Sequence, residues 1–284
     1  MLLAAGLGTR LRPLTDLRPK PIVPVANRPL AAFAMEHLAR SGVHSVVANT
    51  HPQPEQVEAA LKAACPAGLK LRFSREKTLL GTGGGLRKAS LSFDDAQAPV
   101  VVMNGDTLFA PDLRHACAEH LARGAVATMI LRRLPNPERF GAIGLDGDGW
   151  VRSLLGVPGD APIRDSFMFT GVHILVDTGA PVLGIIDDSP WADLGTVPDY
   201  HRVNLELASG LFPWHGVESH DGCILPASVE PSANVRQSVV GANVSIGLGV
   251  TLDRCVVWPG TKVTSAATNA VLTPKHRIEV GRDS

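Results

Sequence analysis

The chain has 284 residues, 45% of them hydrophobic, and its 27 basic residues balance its 27 acidic residues. This length predicts one large domain, a smaller second domain and a sizeable buried core. The zero net charge argues against a nucleic-acid partner bound through a broad basic face, so any affinity for anions must be local.

The sequence also lacks the features of secreted and membrane proteins. No stretch of about eighteen apolar residues could span a bilayer, and the chain does not open with a basic and then apolar leader. The four cysteines form no Cys-x-x-Cys pair, which is typical of idle thiols in a reducing compartment. We therefore expect a cytoplasmic protein with no membrane partner.

Apolar runs alternate with helix-like segments through the first half of the chain. The predicted strands are Met1–Ala5, Ser45–Asn49, Leu69–Phe73, Val100–Met103 and Val126–Leu131, and the predicted helices are Pro29–Arg40, Pro54–Ala64, Gly83–Ala89 and Pro111–Arg123. Strands and helices that alternate at this spacing predict a three-layer α/β sandwich with a largely parallel sheet.

The second half has more strands and ends in a repeat. Strands are predicted at Phe167–Leu175 and Pro181–Ile186, and a helix at Pro198–Leu207. After Gly210, valines recur among small residues, several of them six positions apart, at Val229, Val235, Val244, Val250 and Val256. A period of six predicts a short left-handed parallel β-helix. The predicted domains are therefore 1–210 and 211–284.

The opening segment, LLAAGLGTRLRPLTDLRPKP, has the features of a phosphate-binding loop. Gly6 and Gly8 follow the first strand, and glycine lets backbone N–H groups approach phosphate oxygens. Arg10 follows this turn, and Lys20 lies between two prolines that stiffen the chain. A rigid loop with two cations suits a polyphosphate whose charge must be neutralised during reaction. The alternative is a solvated surface loop.

Two carboxylates follow apolar runs far apart in the chain. Asp106 lies in VVVMNGDTLF, just past a predicted strand, where α/β sheets place their ligands. Asp193 lies in WADLGT, again before a glycine. Carboxylates from separate loops, completed by phosphate oxygens, are a usual way to hold Mg²⁺. An aspartate that only caps a turn is the alternative for Asp106.

The motif Gly-x-Gly-Thr-Arg-Leu, followed by Pro-Lys-Pro, resembles the signature of the sugar-1-phosphate nucleotidylyltransferases. This resemblance implies a Rossmann-like nucleotidyltransferase sandwich. It also implies that a sugar 1-phosphate attacks the α-phosphorus of a nucleoside triphosphate, releasing pyrophosphate. Arg10 would stabilise the pyrophosphate, Lys20 would contact the α-phosphate or the sugar phosphate, and Asp106 and Asp193 would bind Mg²⁺.

The resemblance also implies further contacts with both substrates. The candidate nucleotide-binding residues are Leu3, Ala4, Ala5, Gly6, Gly8, Thr9, Glu76, Gly81, Thr82 and Gly83. The candidate sugar-binding residues are Asn104, Gly105, Gly141, Thr170 and Gly171. The glycine run within LLGTGGGLRKA has an alternative interpretation, a bare flexible loop.

Two stretches depart from the family pattern. Many members carry Glu-Lys-Pro after the strand near residue 151, where this chain has VRSLLGVPGDAP. The family usually inserts a helix and a loop between the equivalents of Gly171 and Trp191, where this chain has an abrupt join at Val176–Asp177. We therefore expect a different sugar-recognition shell and an absent or incomplete lid.

The resemblance leaves the nucleotide open. Ala4-Ala5-Gly6 resembles uridylyltransferases, and the TGGGL stretch resembles their N-acetylmuramate-1-phosphate branch, so both favour UTP. The Pro-Lys-Pro region with a β-helical tail instead resembles mannose-1-phosphate guanylyltransferases. A catalytically silent nucleotide-sugar sensor is a further alternative. An acyltransferase is disfavoured, because His215, His220 and His276 flank the repeat rather than lie within it. We interpret the tail as an oligomerisation or packing element, so a homo-oligomer is an expected partner state.

Overall fold

The computed structural model describes residues 1–95, 98–135, 137, 141–154, 157–158, 162–175, 181–226 and 234–281. The chain forms two compact units. The first comprises Met1–Gly6 with Ala31–Trp191, and the second comprises Leu7–Leu30 with Ala192–Ser284. This grouping differs from the boundary expected near residue 210, and that boundary stays a prediction.

The helices and strands follow the chain in this order. The helices are α1 Leu14–Leu17, α2 Leu30–Arg40, α3 Pro54–Ala63, α4 Gly81–Ser90, α5 Leu113–Ala122 and α6 Val197–Ser209. The strands are β1 Leu2–Ala4, β2 Pro24–Val25, β3 Arg28–Pro29, β4 Ser45–Thr50, β5 Lys70–Arg75, β6 Val100–Asn104, β7 Thr107–Phe109, β8 Ala127–Arg132, β9 Ala142–Leu145, β10 Val151–Leu154, β11 Val157–Pro158, β12 Asp165–Leu175, β13 Val182–Ile186, β14 Trp191–Asp193, β15 Val235–Arg236, β16 Val239–Val240, β17 Ser245–Ile246, β18 Leu252–Val257, β19 Lys262–Val263, β20 Ala267–Leu272 and β21 Arg277–Glu279.

The first unit is built on one mixed sheet. Its strands lie in the order β11-β10-β9-β12-β6-β1-β4-β5, and β8 pairs with both β12 and β13. The strands β6, β1, β4 and β5 are parallel, whereas β12 runs antiparallel to β6, β8 and β9. The expectation of a largely parallel sheet is therefore correct for β6, β1, β4 and β5, whereas β8, also in the first half of the chain, pairs antiparallel with β12 and parallel with β13. The short links around β9, β10 and β12 leave no room for the crossover helix that a parallel pair needs.

Apolar strands and helix faces form the core of the first unit. Leu2, Ala48 and Met103 lie on neighbouring parallel strands and are fully buried. Strands buried on both faces read as continuous apolar runs, which is why the sequence alone located β1, β4 and β6 to within a residue or two. Among the described residues, no helix is long and apolar enough to cross a membrane.

The second unit contains a ladder of short parallel strands beside helix α6. Strand β18 pairs in parallel with β15, β16 and β20, and β17 pairs in parallel with β19. Antiparallel β21 ends the ladder on β20. Of the repeated valines, Val235, Val250 and Val256 are buried and Val244 is half-buried. Val229 lies outside the described residues.

Three residues with left-handed backbone lie at matching positions of successive ladder strands. Gln237, Arg254 and Asn269 have φ values of 42°, 53° and 48°. The register pairs Arg236 with Asp253, so these residues directly follow aligned positions. Each one turns the chain at an equivalent corner, which indicates stacked coils of similar size.

Burial of His173 on β12 makes stability depend on pH. Burial lowers the pKa of this imidazole from 6.5 to about 4. Between these two pH values the unfolded chain binds a proton at His173, whereas the folded protein does not. The free energy of unfolding that depends on neutral His173 is complete above about pH 6.5 and is lost as pH falls through about 4. We expect His173→Gln to lose less stability than the wild type between pH 7.5 and 5.0 in urea unfolding. Equal losses in the two proteins would contradict this assignment.

Candidate active site

Gly8 and the two cations of the opening segment lie at two short turns. Gly8 has φ +62°, a left-handed conformation that favours glycine. A Cβ on Gly8 would lie 2.8 Å from the Cβ of Lys20, so the absence of a side chain lets the two turns approach. Arg10 lies in the 3₁₀ turn Thr9–Leu11, and Lys20 begins the turn Lys20–Ile22.

Arg10 and Lys20 both lie beside the carboxylate of Asp193. The Nζ atom of Lys20 is 3.7 Å from one Asp193 oxygen, and an Arg10 nitrogen is 3.8 Å from the other. The Lys20 side chain is only 6% exposed, whereas that of Arg10 is 71% exposed. Lys20 is therefore held as a fixed charge, while Arg10 faces solvent with greater freedom.

Gly195 lets this group assemble. A Cβ on Gly195 would lie 2.7 Å from Asp193 Oδ2 and 3.1 Å from Arg10 Nη1. A side chain at this position would therefore force Asp193 and Arg10 to shift from the observed arrangement. We refer to Gly8, Arg10, Lys20, Asp193 and Gly195 as the Asp193 cluster. Since all five residues belong to the second unit, a carboxylate and two cations meet within one compact body.

In the first unit, other predicted residues gather at the carboxyl ends of β1 and its neighbours. The Gly105 N–H donates to the carbonyl oxygen of Leu3 at 2.9 Å. The backbone of Gly171 packs against the Asn104 side chain, since a Cβ on Gly171 would lie 2.5 Å from its Nδ2. Asp106 follows on directly in the chain, so the predicted sugar-binding and metal-binding residues of this segment lie together.

Asn49 is a site residue that the sequence did not suggest. Its Oδ1 accepts a hydrogen bond from the Ala4 N–H, and its Nδ2 donates to Glu76, both at 2.8 Å. The other Glu76 oxygen accepts from the Leu80 N–H at 2.9 Å. Asn49 thus connects the first strand to the start of α4. The available signal was a polar residue at the carboxyl end of a predicted parallel strand.

The glycine-rich segment forms the beginning of a helix rather than a bare loop. Gly81, Thr82 and Gly83 occupy the first turn of α4 and are exposed. A helix start presents unpaired backbone N–H groups and a positive dipole end, which suit an anionic ligand. Glu76 itself is 5% exposed. Its main contribution to the candidate site is therefore structural, because its carboxylate accepts from the Leu80 N–H and holds the start of α4 in place.

Thr170, a predicted sugar contact, is almost inaccessible to solvent. It is 1% exposed, and its hydroxyl donates to the Ile130 carbonyl at 2.7 Å. Its own carbonyl accepts from the Trp191 indole at 3.0 Å. We therefore expect Thr170 to shape the site rather than to donate to a sugar. Gly141 borders 138–140, which lies outside the described residues, as does the join at Val176–Asp177.

Two glycines of α4 provide a matched test of this packing. A Cβ at Gly85 would lie 2.7 Å from Glu76 Oε1 and 2.8 Å from Asn49 Nδ2, whereas a Cβ at Gly83 would contact nothing within 4 Å. We expect Gly85→Ala to lower the free energy of unfolding by about 1–3 kcal/mol. Gly83→Ala should be neutral or stabilising, because alanine favours a helix. Urea unfolding measures both, and equal stability of the two variants would contradict the observed packing.

Comparison with known proteins identifies the family. Residues 1–175 match the family model described as nucleotidyl transferase. The chain belongs to this family. This membership places the protein among enzymes that transfer nucleotidyl groups. The matched range includes Arg10, Lys20 and Asp106 but ends before Asp193, so the placement of Asp193 beside Arg10 and Lys20 is a contribution of the structure.

Curated relatives of this nucleotidyl transferase differ in the nucleotide that their names give. A mannose-1-phosphate guanylyltransferase of Mycobacterium tuberculosis is 30% identical over 93% of this chain and 80% of its own length. A UTP–glucose-1-phosphate uridylyltransferase of Synechocystis is 29% identical over 72% of this chain. This chain spans only 61% of the Synechocystis protein.

A solved structure supports the fold of this nucleotidyl transferase. The crystal structure of HddC from Yersinia pseudotuberculosis matches with a TM-score of 0.60 and 22% identity. The match covers 72% of this chain and 96% of HddC. At this level of identity the likeness supports the α/β nucleotidyltransferase fold alone.

Proposed function

We propose that this protein transfers a nucleotidyl group from a nucleoside triphosphate to a sugar 1-phosphate. The observation that carries the proposal is the Asp193 cluster, in which Lys20 and Arg10 flank one carboxylate at 3.7 and 3.8 Å. A fixed cation and a more exposed one beside a carboxylate suit a polyphosphate whose charge shifts during reaction. Family membership and the relatives' names support the same reaction.

The reaction assigns a distinct task to each cation. A phosphate oxygen of the sugar 1-phosphate forms a new bond to the α-phosphorus, and the bond from that phosphorus to the bridging oxygen of pyrophosphate breaks. Buried Lys20 contacts the α-phosphate or the sugar phosphate, where charge builds up in the transition state. Exposed Arg10 stabilises the negative charge of the pyrophosphate as it leaves. Transfer needs no covalent enzyme intermediate, so positioning and charge stabilisation carry the catalysis.

The chemistry of Asp193 fits Mg²⁺. Its side chain is 28% exposed, and carboxylate oxygen is the donor that this ion prefers. Among the residues that the structure describes, no group of three or more His, Cys, Asp or Glu side chains could hold a metal. Mg²⁺ would therefore complete its shell with triphosphate oxygens and neutralise their charge. Asp106, in the other unit, stays the second predicted ligand.

UTP is the nucleotide that we propose first. The Ala4-Ala5-Gly6 turn resembles uridylyltransferases, and the Synechocystis relative is named for UTP. GTP is the second candidate, because the relative that matches 93% of this chain is named a guanylyltransferase. For the sugar we propose an aldose 1-phosphate.

The parallel ladder of the second unit supports a further structural proposal. We propose that β15–β20 wind as a left-handed β-helix, the handedness that the six-residue valine period favours. A homo-oligomer through this region stays a prediction.

Pyrophosphate release tests the function. The assay combines Mg²⁺ with UTP, GTP, dTTP, CTP or ATP and with several hexose, hexosamine and muramate 1-phosphates. We expect one nucleotide and one sugar to react well above all other combinations. If no pair reacts while nucleotide-sugars still raise the melting temperature, the silent sensor replaces the enzyme. If neither activity nor binding is found, both functions are excluded.

A further inference from the structure

Two buried aromatic residues of the second unit contact the chain on both sides of Lys20. The Trp258 indole Nε1 donates to the Tyr200 phenol oxygen at 2.9 Å, and the Tyr200 hydroxyl donates to the Pro24 carbonyl oxygen. The Arg18 guanidinium carbon lies 5.6 Å from the centroid of the Trp258 ring. The contacts therefore fall two residues before Lys20 and four residues after it.

The chemistry of the side chains determines which group donates and which accepts in these two hydrogen bonds. An indole nitrogen can only donate, so the Tyr200 oxygen is the acceptor and its single proton goes to Pro24. Tyr200 is fully buried, and burial raises the pKa of its phenol, which keeps that proton in place. Trp258 is 2% exposed. Loss of the phenol oxygen would leave a buried donor and a buried acceptor without these partners.

The turn after Pro24 includes one residue in a conformation that it disfavours. Ala26 and Asn27 have φ values of 45° and 64°; this left-handed backbone costs free energy in alanine, whereas asparagine accepts it more readily. The Asn204 side chain on α6 accepts from the Ala26 N–H at 2.9 Å, and Asn27 donates to the Val240 carbonyl at 2.7 Å. Strained backbone persists where its surroundings over-determine it.

Helix α6 also connects to the carboxylate of the Asp193 cluster. The helix begins directly after Gly195, where the Thr196 side chain caps it by accepting from the Asp199 N–H. The Tyr200 N–H donates to the Thr196 carbonyl at 2.9 Å. The first turn of α6 therefore follows closely after Asp193 in the chain, and it also carries the Tyr200 phenol that contacts Pro24.

We propose that Tyr200 and Trp258 are positioning residues that set the place of Lys20 relative to Asp193. The proposal rests on the proposed function, in which Lys20 contacts a reacting phosphate. A displacement of about 1 Å at such a group can lower turnover by about 10²-fold. The C-terminal ladder thereby gains a role in catalysis, because Trp258 directly follows β18 and contacts the segment that carries Lys20.

The test compares Tyr200→Phe with Val263→Ala. Phenylalanine keeps the ring and removes only the hydroxyl, whereas Val263 belongs to the ladder core and supplies none of these hydrogen bonds. We expect Tyr200→Phe to lower kcat at least about tenfold, with KM within a few-fold of wild type, because an interaction made in the transition state is weakened. It should also speed amide hydrogen exchange in Val23–Leu30. Val263→Ala should do neither at temperatures where both variants remain folded.

A second substitution separates positioning from general destabilisation. In a Lys20→Met background, Tyr200→Phe should cause little further loss of kcat, because the group that it positions is gone. A full, additive loss would overturn the proposal, as would hydrogen exchange in Val23–Leu30 no faster than in Val263→Ala. If Tyr200→Phe does not fold, Trp258→Phe replaces it, since phenylalanine keeps an aromatic ring and removes the indole donor to Tyr200.

The exchange measurement also separates this proposal from the proposed function. Activity that is unchanged by Lys20→Met would remove Lys20 from the reaction and overturn the function assigned to it. Faster exchange in Tyr200→Phe would then still establish the anchoring of Val23–Leu30. If the wild type is active but hydrogen exchange in Val23–Leu30 stays slow in Tyr200→Phe, only the positioning role is overturned.

Discussion

Replacing Lys20 by methionine is expected to lower kcat by about 10² or more. Methionine keeps a long apolar stem against Gly8, so the tight packing between the two turns survives while the charge is lost. The Lys20 side chain is 6% exposed and lies 3.7 Å from Asp193, so no water-exposed cation can easily take its place. Initial rates of pyrophosphate release at saturating substrates measure the effect.

Lys262→Ala is the control for this substitution. Lys262 is an exposed lysine on β19. Replacing it changes the net charge by the same amount as Lys20→Met, and Lys262 is not a member of the Asp193 cluster. We expect wild-type kcat for this control. If Lys20→Met retains wild-type kcat while circular dichroism shows a native fold, Lys20 has no part in the transition state.

Asp193→Asn is expected to remove at least about 10² of the turnover and to raise the Mg²⁺ concentration needed for half-maximal rate. The amide has nearly the same shape as the carboxylate but carries no charge. It therefore weakens the attraction to a divalent ion and to the two cations. The cost to stability comes mainly from Lys20, because an ion pair of the exposed Arg10 with Asp193 contributes little.

Asp253→Asn serves as the matched control, since it removes a carboxylate from the same unit but from strand β18. We expect it to leave the Mg²⁺ titration unchanged. A Mg²⁺ titration of Asp193→Asn that superimposes on that of the wild type would exclude Asp193 as a metal ligand.

Much of the Asp193 cluster could be predicted from short motifs. Gly8, Arg10 and Lys20 lie within thirteen residues, where local backbone chemistry limits the possible arrangements. Their distances from Asp193 could not be predicted, because nearly two hundred residues separate that aspartate from them. Asn49 and Tyr200 were missed for the same reason, since each acts through a hydrogen bond to a distant backbone group.

Strong local signals were enough to predict several elements from the order of the amino acids. Continuous apolar runs specified β1, β4 and β6, and glycines with flanking prolines specified the turns around Arg10 and Lys20. Contacts between distant segments, which no local pattern reveals, set the antiparallel direction of β12 and the hydrogen bonds from Trp258 to Tyr200 and from Tyr200 to Pro24. Periodicity and turn chemistry depend on neighbouring residues, whereas strand direction and buried hydrogen bonds depend on which distant segments exclude water together.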